Sequence, residues 1–292
     1  MIDTARTELG ELASDAIRDI AFRSVGAQVI TDYVDRDLVT WDVFEDGGWD
    51  RIGVAEEDGG GGATLRDLVE VASVWGYYSI PLPLLESMVV RRWSAAARES
   101  SGPVTVSVSA ATLQSGSGLV PFGALAGTSV ARSLGEGSDI LVAADASVPE
   151  PFAIALRPAI VPWLSDLTPT ARRELEVLWA AETVGAAQRL VDLSVAYSKQ
   201  RVQFDQQIGS FQAVKHRLAN MHIDTQLAES AVLWASLEPE QAHRTVSFAV
   251  DAAIRVAQSA IQVHGAMGFT WELGLHYFLR TMLVRRELLA VT

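Results

Sequence analysis

The chain of 292 residues contains no cysteine, which excludes disulfides, thiolate metal sites and a cysteine nucleophile. It also lacks any run of about 18 apolar residues, so no segment reads as a membrane span. Met1-Ile2-Asp3-Thr4 lead into an acidic amphipathic stretch, with no basic segment followed by an apolar one; the expectation is a protein without a secretory signal, soluble and cytoplasmic. Basic residues are scarce: 23 Lys and Arg stand against 36 Asp and Glu, for a net charge of −13. Arg91-Arg92 and Arg285-Arg286 are too short to form the basic stripe of a nucleic-acid binder. An acidic surface repels polyanions at long range, yet allows one anionic cofactor in a locally positive pocket. The histidines, His216, His222, His243, His264 and His276, show no metal-ligand spacing, and no metal site is expected.

What is present is apolar. Hydrophobic residues make up 49% of the chain and charged residues 20%, a composition that fits a globular protein with extensive buried surface. Eight tryptophans add large faces that need a core or a partner.

Periodicity divides the chain into residues 1–99, 100–165 and 166–292. In the first part Leu9, Leu12, Ile17 and Ile20 approximate helical spacing, and Leu65, Leu68, Val69, Ala72 and Trp75 share one face of a helix predicted over Thr64–Gly76. That helix follows Gly59–Gly62. A glycine run can cradle phosphate, but this one lacks a following Gly-Lys-Ser/Thr and is preceded by Glu56, Glu57 and Asp58, so it reads as a plain loop. In the second part Val104, Val106 and Val108 alternate with Thr105, Ser107 and Ser109, a strand pattern. Ile140–Ala143 and Phe152–Leu156 read as further short strands. In the third part Thr168-Pro169 supplies an N-cap with proline at the first helical position. A helix is predicted from there to about Lys199, a loop over Arg201–Gly209, then helices starting near Ser210, near Glu240 (to Val263) and near Glu272. Four helices with short connections predict an antiparallel bundle. The fold class is therefore mainly α with a small β-domain: an N-terminal helical domain (1–99), a reduced β region (100–165) and a C-terminal four-helix bundle (166–292).

Two stretches carry chemistry. Arg201-Val-Gln-Phe-Asp-Gln-Gln-Ile-Gly-Ser-Phe-Gln212 continues through Lys215, Leu218 and Ala219 to Met221. A guanidinium offers a planar fork of donors that suits phosphate, and a phenylalanine three residues on can stack on a flat ring. Taken alone, these two residues also read as a surface arginine and a core phenylalanine. As a whole, the stretch resembles the signature of the acyl-CoA dehydrogenases, with Arg201, Phe204, Ile208, Gly209, Phe211, Gln212, Lys215, Leu218, Ala219 and Met221 in register and Asp205 where that family usually has glycine. Gln262-Val-His-Gly-Ala-Met-Gly-Phe-Thr-Trp-Glu272 resembles the family's second signature, with Ala266 replacing a glycine; in isolation it also reads as a helix C-cap with a buried His264. Ile52–Gly62 and Val120–Ala126 are weaker resemblances in the other two parts.

The resemblance implies a tetrameric FAD enzyme that oxidises an acyl-CoA between its α and β carbons. A glutamate takes the α-proton while the β-hydrogen leaves as hydride to the flavin. It places Arg201, Phe204 and Gln212 near the adenosine-diphosphate part of FAD, and Gln262, Gly265 and Ala266 near the pyrophosphate, of a neighbour's FAD included. It also implies electron-transfer flavoprotein as the acceptor. The sequence departs from the family in three ways. The β region lacks the Thr-Glu-Pro-x-Ala-Gly-Ser-Asp stretch. The two positions at which family members carry the base fall here on Leu289 and Leu175. Glu174 and Glu176 flank Leu175, but a helix turns about 100° per residue, so a neighbouring carboxylate points elsewhere; both are expected to be solvated surface residues, and Glu287 has the same offset. The catalytic residue is thus unassigned. Retained FAD signatures beside a missing base point to one subunit of a heteromeric enzyme, resembling the unlike-subunit tetramers of steroid breakdown, that completes the FAD site of a catalytic acyl-CoA dehydrogenase partner. The alternatives are a self-sufficient homo-oligomer whose base is Glu174 or Glu176, and a scaffold subunit without flavin.

Overall fold

The computed structural model describes residues 7–289 apart from 27–29, 31, 33–38, 111–112, 114, 135–140, 144–151 and 239–241. Met1–Thr4, Ile140, Glu240 and Thr292 lie outside the described residues.

The N-terminal part is built on α1 (Glu8–Val25), the short α2 (Asp42–Asp46), α3 (Leu65–Tyr78), α4 (Leu84–Trp93) and α5 (Ala95–Glu99). The start of α3 is fixed by a capping box in which Thr64 and Asp67 each satisfy the other's backbone N–H. Thr7, which caps α1, also donates its hydroxyl to Asp67, so one carboxylate ties the starts of two helices together. The buried stripe of α1 is not the one that its leucines mark. Gly10, Ala13, Ser14, Ile17, Ala21 and Val25 face the core, whereas Leu9 and Leu12 are 40% and 65% exposed. The small residues let α1 approach α3 closely: a Cβ on Gly10 would lie within 3.4 Å of the Asp67 backbone. Gly59–Gly62 is a plain loop. All four glycine N–H groups are consumed within the chain, by the carbonyls of Glu56, Ala55, Arg51 and Val54, leaving none for phosphate.

The β region is a set of short pairings. β1 (Val104–Val106) runs parallel to β3 (Ser129–Ala131), which pairs antiparallel with β5 (Leu141–Ala143); β2 (Gly118–Val120) pairs antiparallel with β6 (Ala159–Val161), and β4 (Ser133–Leu134) parallel with β7 (Asp166–Leu167). Two of the polar alternates, Thr105 in β1 and Ser107 just after it, are buried as well, because each finds a partner: Thr105 donates to the Pro121 carbonyl, and Ser107 meets Ser165 and the Trp163 carbonyl. Phe152–Leu156 is not a strand. Ile154–Leu156 forms a single 3₁₀ turn that ends on Arg157 at φ 37°. Pro158 cannot donate to a ladder, and the Leu156 and Arg157 carbonyls are taken by Phe122 and Ala124.

The bundle comprises α6 (Pro169–Gln200), α7 (Gln212–Leu237), α8 (Ala242–His264) and α9 (Leu275–Leu289). Thr168 caps α6 with Pro169 at its first turn. From Glu174 to Ala187 every residue of α6 is buried, so this helix is central: it packs on α3 and α4 on one side and on α7, α8 and α9 on the other. The crossing with α3 is tight because Gly76 and Gly185 lie at the contact. No helix among the described residues is long and apolar enough to cross a membrane, and no group of three His, Cys, Asp or Glu side chains there is placed to hold a metal.

Candidate functional site

The predicted loop after α6 is a two-stranded hairpin, β8 (Val202–Gln203) against β9 (Gln206–Gln207). Its turn is Phe204–Asp205, at φ 54° and 63°. Positive φ at both central positions defines the tight turn that suits the twist of a hairpin. It is a conformation open to glycine and, among other residues, best tolerated by Asn and Asp, which is why aspartate can stand at the signature's glycine position. The hairpin leads into α7, whose N-terminus has no side-chain cap. Its first N–H groups are thus an uncompensated positive end.

The second signature closes α8. His264 is buried, hydrogen-bonded through Nδ1 to the Ala260 carbonyl, and Gly265 turns the chain at φ 61° into a 3₁₀ turn, Gly265–Phe269. The helix-end reading of this stretch is therefore correct as geometry. Tyr197 on α6 joins the two signatures, its ring stacked 4.4 Å from that of His264. Arg201 follows Tyr197 by one turn, and its backbone N–H donates to the Tyr197 carbonyl. Arg201, Phe204, Gln212, Gln262, Gly265 and Ala266 are all exposed. Phe204 is 87% exposed and meets Phe211 edge-on, with ring centroids 6.1 Å apart. Val202 beside it, and Met267, Phe269 and Trp271 in or after the 3₁₀ turn, are exposed too. A cation, an open aromatic ring, a bare helix N-terminus and a glycine with free space beside it fit the adenosine-diphosphate part of FAD. They belong to two stretches that the Tyr197–His264 stack links, and each is open to solvent. The larger of the described cavities, about 330 Å³, lies elsewhere, between α1, α3, α6 and α7, lined by Arg66, Tyr77, Gly185 and Val232 among others.

The base positions are the opposite in character. Leu175 and Leu289 are 0% and 2% exposed, and Arg172 on α6 donates to the Leu288 carbonyl at 2.5 Å, so the two helices bring these positions together. Glu174 and Glu176, expected to be solvated, are instead buried. Glu174 accepts from the Trp93 indole N–H at 2.7 Å and lies 3.5 Å from Arg92. Glu176 pairs with Arg172 at 2.5 Å. The expectation fails because α6 has no solvent face along this stretch, so a carboxylate there must carry its own partner inside.

The family model for the acyl-CoA dehydrogenase C-terminal domain matches residues 176–288. The acyl-CoA dehydrogenase IpdE2 of Mycolicibacterium smegmatis is 31% identical over 238 residues, covering 75% of this chain and 73% of that protein. The chain belongs to the acyl-CoA dehydrogenase family. Probable acyl-CoA dehydrogenase YngJ of Bacillus subtilis is 40% identical over 109 residues, 35% of this chain and 28% of that one. Among solved structures, the ChsE4-ChsE5 complex of Mycobacterium tuberculosis superposes with TM-score 0.75 at 21% identity over 99% of this chain and 95% of the other; butyryl-CoA dehydrogenase of Megasphaera elsdenii does so with TM-score 0.75 at 15% identity over 98% and 95%. These likenesses show the shared fold.

In this acyl-CoA dehydrogenase one fully buried ion cluster is a feature that sequence reasoning missed. Arg285 on α9 is completely buried between two carboxylates, Glu182 of α6 at 2.8 Å and Glu86 of α4 at 2.9 Å, with its guanidinium 4.7 Å above the Trp179 ring. Trp179 donates its indole N–H to the same Glu86 oxygen at 2.7 Å. The signal available was Glu86 standing alone in an apolar run, Leu84-Leu85-Glu86-Ser87-Met88.

Burial pushes the Glu182 carboxyl up, against the lowering pull of Arg285, and Glu86 adds to the rise. A carboxyl whose pKa is higher in the folded than in the unfolded chain holds its proton more tightly when folded. Its contribution to stability is then lost as pH rises from the ordinary carboxylate range, near 4.5, through the folded value. Glu174 is shifted in the same direction, by burial. Glu182→Gln should therefore flatten part of the decline in unfolding midpoint above that range; an unchanged pH profile in thermal melts would show that Glu182 does not titrate in the fold.

Proposed function

We propose that this chain is one subunit of a heteromeric, FAD-dependent acyl-CoA dehydrogenase and completes the flavin site of a second, catalytic acyl-CoA dehydrogenase subunit. The observation that carries this reading is that Arg201, Phe204, Gln212, Gln262, Gly265 and Ala266 are all exposed on the two stretches linked by the Tyr197–His264 stack, and that Val202, Met267, Phe269 and Trp271 on or beside the same stretches are exposed too. A surface of this kind gains its function by being covered. Arg201 and the α7 N-terminus would hold the diphosphate, and Phe204 would pack against the adenosine. FAD, when bound, accepts the hydride in the oxidation of a CoA thioester to its α,β-unsaturated form. The proton-abstracting group would come from the partner, because the base positions here are Leu175 and Leu289, and Glu174 and Glu176 are already engaged by Trp93, Arg92 and Arg172. Residues 1–99, 100–165 and 166–292 would act as helical, β and bundle parts of this subunit. The family resemblance favours a bulky, steroid-derived acyl group and electron-transfer flavoprotein as the acceptor. One structural neighbour, the Tcur3481-Tcur3483 pair, is a steroid acyl-CoA dehydrogenase, which agrees with that class.

Co-expression with an acyl-CoA dehydrogenase subunit that carries the glutamate base tests the reading. A yellow complex of the two chains is expected, with Arg201→Ala and Phe204→Ala each weakening flavin retention by roughly tenfold or more. A yellow, active homo-oligomer of this chain alone would replace the reading with a self-sufficient enzyme. A colourless complex would make the chain a scaffold.

A further inference from the structure

Leu175, Trp179 and Glu182 follow one another at helical spacing and share one face of α6; Met282, Arg285 and Leu289 share one face of α9. These two faces meet. The first contains one family base position and the second contains the other, so an acyl-CoA bound to this chain's own half would have to place its reacting carbons between them, within hydrogen-bond reach of a base. That space is filled. Leu175, Trp179 and Arg285 have no surface open to solvent or to a water-sized void, and Leu289 has 2%. The largest side chain buried on these two faces is Trp179, one turn along α6 from Leu175. It is clamped from two other helices: Glu86 of α4 accepts its N–H, and Arg285 of α9, itself held by Glu86 and Glu182, covers its ring.

We infer that Trp179 is an internal plug: its indole occupies the place of an acyl group, so that this chain takes no acyl group of its own, and removing the indole opens a site for a flat, mostly apolar molecule with one hydrogen-bond donor. The inference rests on the reading of this chain as the non-catalytic subunit, and extends it from a missing base to a closed substrate slot. The donor is specified because Glu86 loses the Trp179 N–H while keeping Arg285. The apolar body is specified because the neighbouring positions on the two faces, Leu175 one turn before Trp179 on α6 and Met282 one turn before Arg285 on α9, are apolar and at 0% exposure. Cavities cut into a packed core persist and bind small ring compounds, since the surroundings relax only partly.

Indole is the probe. The full chain, purified with its partner, is melted with increasing indole as wild type, Trp179→Gly and Trp179→Phe. Trp179→Gly should melt lower, and indole should raise its midpoint saturably, by roughly 5 °C. Wild type and Trp179→Phe should show no saturable response. A folded Trp179→Gly protein that ignores indole, or a wild type that responds as the variant does, would overturn the plug. Exchange of the Trp179 indole N–H with D₂O in the wild-type complex is a second measurement, independent of any variant's folding. A permanent plug exchanges only with global unfolding; faster exchange would mean that the slot opens and that the inference is wrong. Flavin absorbance of the same samples separates the two ideas. A colourless complex defeats the shared flavin site and leaves the indole result standing, and indole binding by wild type defeats the plug alone.

Discussion

Arg285→Met should be among the most destabilising single substitutions in this protein, costing about 3–5 kcal/mol and lowering the unfolding midpoint by roughly 10 °C. The cost does not come from lost packing, because methionine fills much of the same volume. It comes from what is left behind. Glu86 and Glu182, 1% and 6% exposed, would face each other without their shared cation. A buried charge that loses its partner costs far more than the intact pair contributes. Glu182, whose carboxyl burial already pushes up, can respond by taking up a proton, so the damage should shrink toward acid pH and grow toward neutrality. The same reasoning fixes the rescue. Arg285→Met combined with Glu86→Gln and Glu182→Gln removes all three charges together, and should recover most of the lost stability, because a neutral, well-filled core needs no ion pair. If the triple variant is no more stable than Arg285→Met, the cluster is held by shape and not by charge.

This cluster also marks where sequence reading runs out. The local signals are reliable where the cause is local. Thr168-Pro169 starts a helix because a hydroxyl cap and a fixed φ act within one turn, and Thr64 with Asp67 does the same for α3. The Arg201–Met221 and Gln262–Glu272 stretches are legible because a hairpin turn, a bare helix start and a glycine helix end are each set within a few residues. Burial has no such local cause. Leu9 and Leu12 look like the core face of α1 and are exposed, because the helix packs through Gly10, Ala13 and Ser14 instead. Glu174 and Glu176 look solvated and are buried, because α6 is surrounded on every side by elements distant in sequence. Glu86 and Arg285 are 199 residues apart, and no periodicity links them. Phe152–Leu156 fails for a related reason: its end is held by the distant loop at Phe122, whose N–H donates to the Leu156 carbonyl, while Leu156 and Arg157 turn back onto the Ala153 and Ile154 carbonyls.

Gly185→Ala and Gly76→Ala carry the second large expected effect, through backbone contact alone. A Cβ on Gly185 would sit 1.8 Å from the Ser73 carbonyl oxygen, and a Cβ on Gly76 would sit 1.8 Å from that of Glu182. Alanine is the better helix former by about 1 kcal/mol, which favours each substitution. Against it stands a clash with main chain, which cannot rotate aside as a side chain does, so α3 and α6 must move apart along their crossing. Overpacking of this kind costs about 1–3 kcal/mol when the neighbours can adjust, and here the neighbours are two helix backbones; each variant should lose about 2 kcal/mol net or more. The two substitutions should not add. Once the first has separated the helices, the second finds space already made, so the double variant should be little worse than the worse single one, a coupling expected of residues in contact. The effect should also reach the buried charges. The carbonyl that Gly76 approaches belongs to Glu182, whose carboxylate holds Arg285 on the far side of α6. Gly76→Ala should therefore weaken that pair and steepen the loss of stability with rising pH, whereas Gly185→Ala, which presses on Ser73, should change it less. Melting both variants across pH 4–8 reads this directly. Strictly additive losses, or pH profiles that shift alike, would mean that the crossing relaxes locally and that α6 does not transmit the displacement to Arg285.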